Sequence, residues 1–457
     1  MSSAALLLNA CQAAPPPTPS AAPKPAAPAP TTAPAATAAP AGKTVKLNWW
    51  VLETYNRTQG LWDGIIKDYT VKYPGRSIDW VEIPFDDYPP KVLTGLAGGD
   101  VGDLLDVHPV VHNTFAMRGA LQPLDEYLRD VGFPLSDITP AWRYQFWRGK
   151  YWSTPRTDNP FAIMYNRKMV QDAGLKDPYA LFKDNKWDLQ AFETMMQTLS
   201  KGEGSSKVYG TFIPSRSLRV QCVWIWGAGG DIWNRDETET LIAGPEATKA
   251  WQYIADWVKN KWAPTPAEAN IPGGNLAFLG QRRLALIFTG IQFLIGGEDK
   301  YLPAEIQKEM HVVPMHNLWN GKREVRNATD AQAVYAKSKL KDEAFDVHKH
   351  VLSEDVQKRF ITARWTAPLR KTWETADFWL KALNPQLEEV DSWNDAISNV
   401  RNFSHVPRFP EIDKIVQTSL DKVLLNQASA ADAMKDAKVQ IDTILKENAE
   451  EIKKAGL

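Results

Sequence analysis

The chain has 457 residues, a formal net charge of −1 and no clustered basic stripe, which leaves out nucleic acid as a partner. Its length suits one large domain or two to three ordinary ones, with ample core. Aromatics make up 11% of the residues and tryptophan alone numbers 19, so flat apolar faces are available for a core and for stacking on a ligand.

Residues 4–11, AALLLNAC, form a short apolar run that ends in a small residue and Cys11. The run resembles the tail of a bacterial lipoprotein signal, in which that cysteine is lipidated and becomes the mature N-terminus. The basic n-region is missing and the apolar stretch is short, so a disordered tail with a chance cysteine is the competing reading. Residues 12–42 are almost wholly Ala, Pro and Thr and cannot bury enough apolar surface to fold. About 30 proline-rich residues at about 3.1 Å each reach on the order of 90 Å, a spacer between a lipid anchor and a soluble body. No later run approaches the roughly 18 apolar residues of a membrane-spanning helix. Cys222, the other cysteine, is not expected to pair with a mobile Cys11.

From 43 onward short apolar strands alternate with amphipathic helices. VKLNWWVL (45–52) reads as a strand. Leu61, Ile65, Tyr69 and Tyr73 mark a helix that Pro74 and Gly75 end. SIDWVEI (77–83) is a second strand, 88–97 a second helix ended by Gly98 and Gly99, and 104–107 a third strand. This β-α-β-α-β start signs a doubly wound parallel sheet, whose ligands bind outside the carboxyl ends of the strands. A second α/β region spans 158–314. It has strands at 160–166, 208–213 and 284–288, a helix at 188–200 capped by Asp188, and another at 245–259. Two helices at 412–425 and 430–452 close the chain, the latter with Met434, Val439, Ile441, Ile444 and Leu445 at helical spacing.

Several segments together resemble the family 1 extracellular solute-binding proteins of bacterial ABC importers, the sugar-binding family that includes maltose-binding protein. They are LTGLAGGDVGDLLDVH (93–108), FAMRGALQPLDEYL (115–128), GKYWSTPRTDNPFAIMYNRKMVQDAGL (149–175), WDLQAFETMMQTLSK (187–201), NLAFLGQRRLALIFTG (275–290) and ARWTAPLRKTW (363–373). Their shared order, more than any one of them, carries the resemblance. It implies an α/β, two-lobed periplasmic-binding-protein fold of type II, each lobe a doubly wound, mainly parallel sheet, with a helical C-terminal region. It places lobe one at 43–157 and 316–366, and lobe two at 158–315 and 367–457. It implies a monomeric receptor that closes on a sugar or oligosaccharide and delivers it to permease subunits, with no catalytic residues, cofactor or metal, and membrane contact by the lipid anchor only.

A sugar offers hydroxyls and an apolar ring face, so its site needs carboxylates, amides and Arg beside aromatic planes. At the strand ends of lobe one the candidates are Trp50, Glu53, Thr54, Asp87 and His108. Alternation puts Trp49 and Trp50 on opposite faces, so one of them is expected in the core. Asp87 could instead cap the helix at Tyr88, and Asp103 could merely hold its turn. Arg156 and Asp158 sit on the crossover that the resemblance places against ligand. Gln292 stands where the family commonly has an aromatic. Trp319, Asp330, Arg364 and Trp365 are later candidates.

VWIWGAGGDIW (223–233) raises the question of a phosphate loop. A dinucleotide loop needs its glycines after a strand and opening a helix. Here Leu218, Cys222 and Ile225 or Trp226 have helical spacing, so Gly227, Gly229 and Gly230 end a helix. Cys222 is then a small buried hydrophobe. Trp224 and Trp226 cannot face one side. Trp226 is the expected stacking platform, Trp224 the second choice, and Trp233 core. A binding protein for another solute, a peptide or polyamine, is the first alternative, because Trp beside acids also suits cations. A surface glycoside hydrolase is the second, though no pair of facing carboxylates stands out. His348 and His350 are two apart on a helix and are expected to be solvated.

Overall fold

The computed structural model describes residues 44–52, 59–84, 87–213, 215–290, 301–363, 366–382 and 390–457. Strand β1 (Val45–Leu52) is followed by helix α1 (Gln59–Lys72), β2 (Arg76–Ile83), α2 (Tyr88–Gly98), β3 (Leu104–Val107) and α3 (Pro109–Met117). Gly75 and Gly99 follow α1 and α2 with φ of 86° and 75°, left-handed positions that cost a glycine little. β1 pairs in parallel with β2 from Val45↔Arg76 to Leu52↔Ile83, and with β3 at Trp49↔Leu104 and Trp50↔Leu105. The carboxyl ends Leu52, Ile83 and Val107 therefore share one edge. Both Trp49 and Trp50 are buried, not one of them. Trp49 packs edge-on against Trp62 and Trp80, while Lys91 Nζ lies 5.0 Å from the centre of the Trp50 ring. A Cβ at Gly102 would approach the Trp50 ring to 2.8 Å, so only glycine fits there.

The second sheet is organised differently. Its central strand is β5 (Asn159–Asn166), flanked by β6 (Leu286–Gly290), β7 (Met310–Val313) and β8 (Asn327–Ala328). β5 runs antiparallel to all three. Parallel character survives in single bridges, Tyr209↔Leu284 and Asp188↔Asn317. The strand expected at 208–213 is not formed. The amides there go elsewhere: Gly210 N donates to Ser200 Oγ and Thr211 N to the Trp262 carbonyl. A Cβ on Gly210 would lie 2.2 Å from the Met196 carbonyl oxygen, so this backbone is pressed against helix α4 (Leu189–Leu199). Asp188 caps α4, its Oδ1 accepting from Ala191 N at 2.9 Å. Helices α5 (Leu218–Gly227), α6 (Pro245–Lys259), α9 (Phe409–Leu424) and α10 (Ala430–Lys454) complete this core. In α10, Met434, Ile441, Ile444 and Leu445 are buried, but Val439 is 68% exposed.

Strands β4 (Thr154–Pro155) and β9 (Ala331–Val334) finish the first sheet, in the order β2-β1-β3-β9-β4. Helices α7 (Lys341–Val351) and α8 (Glu354–Thr362) pack on it. The chain thus passes between the two sheets at 156–158 and 329–330, and again beyond α8. Expectation had the return to lobe one at 316. Leu318 and Val325 lie in the core cluster of the second sheet, and β8 pairs with β5, so 316–328 keep company with lobe two. The reason is that a short strand follows the side that satisfies its backbone, and β5 offered an open edge. His348 and His350 are buried, not solvated. The first meets Thr154 Oγ1 at 3.0 Å and the second the Ile65 carbonyl at 2.9 Å. Polar rings enter a core when each finds a partner.

Candidate binding site between the lobes

Glu53, Thr54, Gln292, Arg364, Trp365 and Cys11 lie outside the described residues. Asp87 is exposed ahead of α2 and makes no side-chain cap. Trp50 faces Lys91 and Gly102, within the first lobe.

Two of the expected ligand contacts prove to be internal. Arg156 is fully buried and its Nη1 lies 2.7 Å from Asp106 Oδ1. Asp106 also accepts from Trp49 Nε1 and from the Leu52 amide. Burial pushes the Asp106 carboxyl up to about 6, against the pull of Arg156. A pair this enclosed holds the strand ends together and has no face for a solute. Asp158 is also fully buried, on the first crossing. Its amide donates to Thr366 Oγ1, its carbonyl accepts from Ala367 N, and its Oδ1 accepts from Asn327 Nδ2 at 2.8 Å. The second oxygen has no partner. Burial pushes this carboxyl up to about 7, with Asn327 opposing the rise and Glu374 adding to it. Asp330 joins the same mesh through its backbone, donating to Thr157 Oγ1 and accepting from Arg156 N. Arg156, Asp158 and Asp330 are therefore brought together as a hinge seam that ties the crossings.

The lobes face one another beyond this seam. His108 ends the β3 edge and caps α3, its Nδ1 accepting from Val110 N at 3.3 Å. Across from it, on α5 of the other lobe, Arg219 Nη1 stands 3.2 Å from His108 Nε2. Arg326, just before β8, is 2% exposed. Its guanidinium sits 4.3 Å from the centre of the Phe161 ring and donates to the Asn327 carbonyl. Burial and the neighbouring Arg326 push Arg219 down to about 10. Burial, then Arg219 and Arg326, hold His108 and His405 well below the usual histidine range, so both rings are neutral near pH 7. Arg219, Arg326 and His405 were not singled out from sequence. The available signal was Arg219 itself, a lone charge in the otherwise apolar LRVQCVWIWG.

Helix α5 also settles its glycines and tryptophans. Gly227 is still helical, and a Cβ there would reach 2.4 Å from Leu318 Cδ1. Gly229 takes the left-handed turn at φ 93°, and Gly230 N closes onto the Ile225 carbonyl. No helix opens after them, which removes a phosphate loop. Trp224 packs in the aromatic core with Phe192, Tyr253 and Trp257. Trp226, the expected stacking platform, is 2% exposed and belongs to the same core cluster; the Arg401 guanidinium covers it at 4.8 Å, with Phe403 alongside and its Nε1 unpartnered. Trp233 is core, its Nε1 donating to the Ser404 carbonyl. Trp319 is set apart, against Tyr253 and Lys249 of α6. Among the described residues no group of three His, Cys, Asp or Glu side chains could hold a metal, and no helix is long and apolar enough to cross a membrane.

Two α/β lobes joined by repeated crossings, with polar groups of both converging between them, define a hinged binding protein. The chain belongs to the bacterial extracellular solute-binding protein family, which it matches over residues 55–358. A binding protein of Brucella abortus (strain 2308) is 22% identical over 406 residues, covering 87% of this chain and 92% of that one. The fold is that of an ABC substrate-binding protein from Listeria monocytogenes solved with cycloalternan (TM-score 0.75, 21% identity, 88% of this chain and 99% of that one). The sugar-binding protein MalE of Xanthomonas citri superposes similarly (TM-score 0.74, 16% identity, 88% and 98%). The family places the chain outside the cytoplasm and makes it a receptor for a solute.

Proposed function

We propose that this chain is the carbohydrate receptor of a bacterial ABC importer, which traps a sugar between its lobes by hinge closure and hands it to permease subunits. The observation that carries this is the pairing of His108 with Arg219 from opposite lobes, across from the seam of crossings that joins them. Similar folds that hold cycloalternan or are described as sugar-binding support the class of solute. Contacts made to both lobes at once favour the closed form by their differential affinity. The receptor acts as a monomer and does no chemistry on its ligand. Cys11 is the lipid attachment point and 12–42 the tether.

A thermal-shift panel of mono- and oligosaccharides, with peptides and polyamines as the other arm, tests the solute class, since ligand stabilises by mass action. A rise in Tm with sugars, with compaction in solution scattering, is the expected result. Response to peptides or amines alone, or release of a cleaved glycoside, overturns the proposal. Loss of fatty-acid labelling in Cys11→Ser tests the anchor.

A further inference from the structure

We infer that the space between the lobes takes a sugar bearing a carboxylate, a uronate-type solute, with Arg219 and Arg326 as its anion-binding pair. This rests on the receptor reading and names its ligand class.

Arg219 reaches His108 from α5, and Arg326, in the lobe-two segment just before β8, lies near enough to act on it by charge. Among the described residues neither has a carboxylate at ion-pairing distance. Burial, and after it the charge of Arg326, weakens the hold of Arg219 on its proton, with Asp413 and Asp330 opposing. The two acids that act on Arg219 do not close the gap. Asp413 is occupied, with Oδ1 accepting from Leu218 N and Oδ2 from Gln417 Nε2. Asp330 acts on Arg219 through space, while its backbone is held by the hinge. Arg326 is the stronger observation. It is buried, its Nε has no partner, and its charge is balanced by no described carboxylate. A buried guanidinium left so is costly unless something anionic completes it.

The contact at His108 points the same way. A neutral imidazole has one acceptor nitrogen, yet both nitrogens of His108 face N–H donors, Val110 N at 3.3 Å and Arg219 Nη1 at 3.2 Å. One of the two contacts is donor against donor. A carboxylate placed between Arg219 and His108 accepts from both and removes the conflict. Two further groups among the described residues are already accounted for. His405 is neutral, and Arg401 is already paired with Asp231 at 2.7 Å.

The test is isothermal titration of the full chain with digalacturonate and glucuronate, against maltose, glucose and sodium sulfate. Digalacturonate is expected to bind at least ten-fold more tightly than the neutral sugars, and its affinity to fall with ionic strength while theirs does not. Arg219→Gln is expected to lower the digalacturonate affinity at least ten-fold, with partial recovery in Arg219→Lys, both variants melting cooperatively. Tight binding of neutral sugars without uronates, or an unchanged uronate affinity in Arg219→Gln, overturns this inference and leaves the receptor reading standing. Sulfate binding as tightly as the uronates overturns the sugar acid in favour of a plain anion. Binding of no sugar overturns both.

Discussion

Arg156 and Arg326 are both buried arginines laid against aromatic rings, Trp49 and Trp62 for one and Phe161 for the other. Arg156 has Asp106 at 2.7 Å; Arg326 has no carboxylate at that range among the described residues. The first is an ion pair that locks the strand ends of one lobe. The second, in lobe two just before the crossing at 329–330, has no described carboxylate to complete it. A fold can afford one or two such gaps where function needs them, and the contrast with Arg156 is what makes this one informative.

The largest expected effect breaks the Arg156 side. Asp106→Ala strands a buried guanidinium and should cost about 3–5 kcal/mol in urea unfolding. A loss under about 1 kcal/mol would mean that Arg156 finds another partner. The contrast repeats on α5. Trp224→Ala should cost about 3–5 kcal/mol of stability, because its ring is enclosed by other aromatics. Trp226→Ala should cost less stability and remove most sugar affinity. If affinity survives and the melting temperature falls by as much as in Trp224→Ala, Trp226 serves the core alone.

Asp158 gives a pH signature of intermediate size. Its folded-state value of about 7 lies above that of an unfolded aspartate, so protonation favours the fold. The group withdraws stability as pH rises from about 4 to about 7, by about 1.4 kcal/mol for each tenfold fall in proton concentration across that window. Asp158→Asn keeps an acceptor for Asn327 and should melt higher than the wild type at pH 8, with the two converging near pH 4. Parallel melting profiles would show that Asp158 is ionised at no cost. The smallest effect sharpens the Arg326 side. Arg326→Met removes an uncompensated charge and should leave unfolding stability equal to the wild type or raised by about 1 kcal/mol. A loss near that of Asp106→Ala would reveal a counter-charge for Arg326.

The first lobe was legible because each strand is an apolar run stopped by Pro or Gly, and β1, β2 and β3 fall where that punctuation puts them. The strand expected at 208–213 was not, because its amides are taken by Ser200 and Trp262, residues the local pattern does not connect to it. The lobe return was misplaced for a similar reason: two residues of β8 are claimed by β5, about 170 positions earlier in the chain. In the site, His108 was legible as a strand end. The ion pair that encloses Arg156 was not, since spacing says nothing of which distant carboxylate meets an arginine. Arg219 and Arg326 gain their meaning only from each other, through a juxtaposition that no local window contains.

The crossings also fix the order in which this molecule can be made. β3 at Leu104–Val107 waits for β9 at Ala331–Val334 as its neighbour, and β5 waits for β6, β7 and β8. The last helix, α10, sends Ile452 into the core of the first lobe while most of its apolar face lies in the second. Neither lobe is whole until the final residues arrive. Contacts of such sequence separation form slowly. A nascent chain of this topology therefore remains an open polypeptide through most of its synthesis, in the threadable state that passage across a membrane requires.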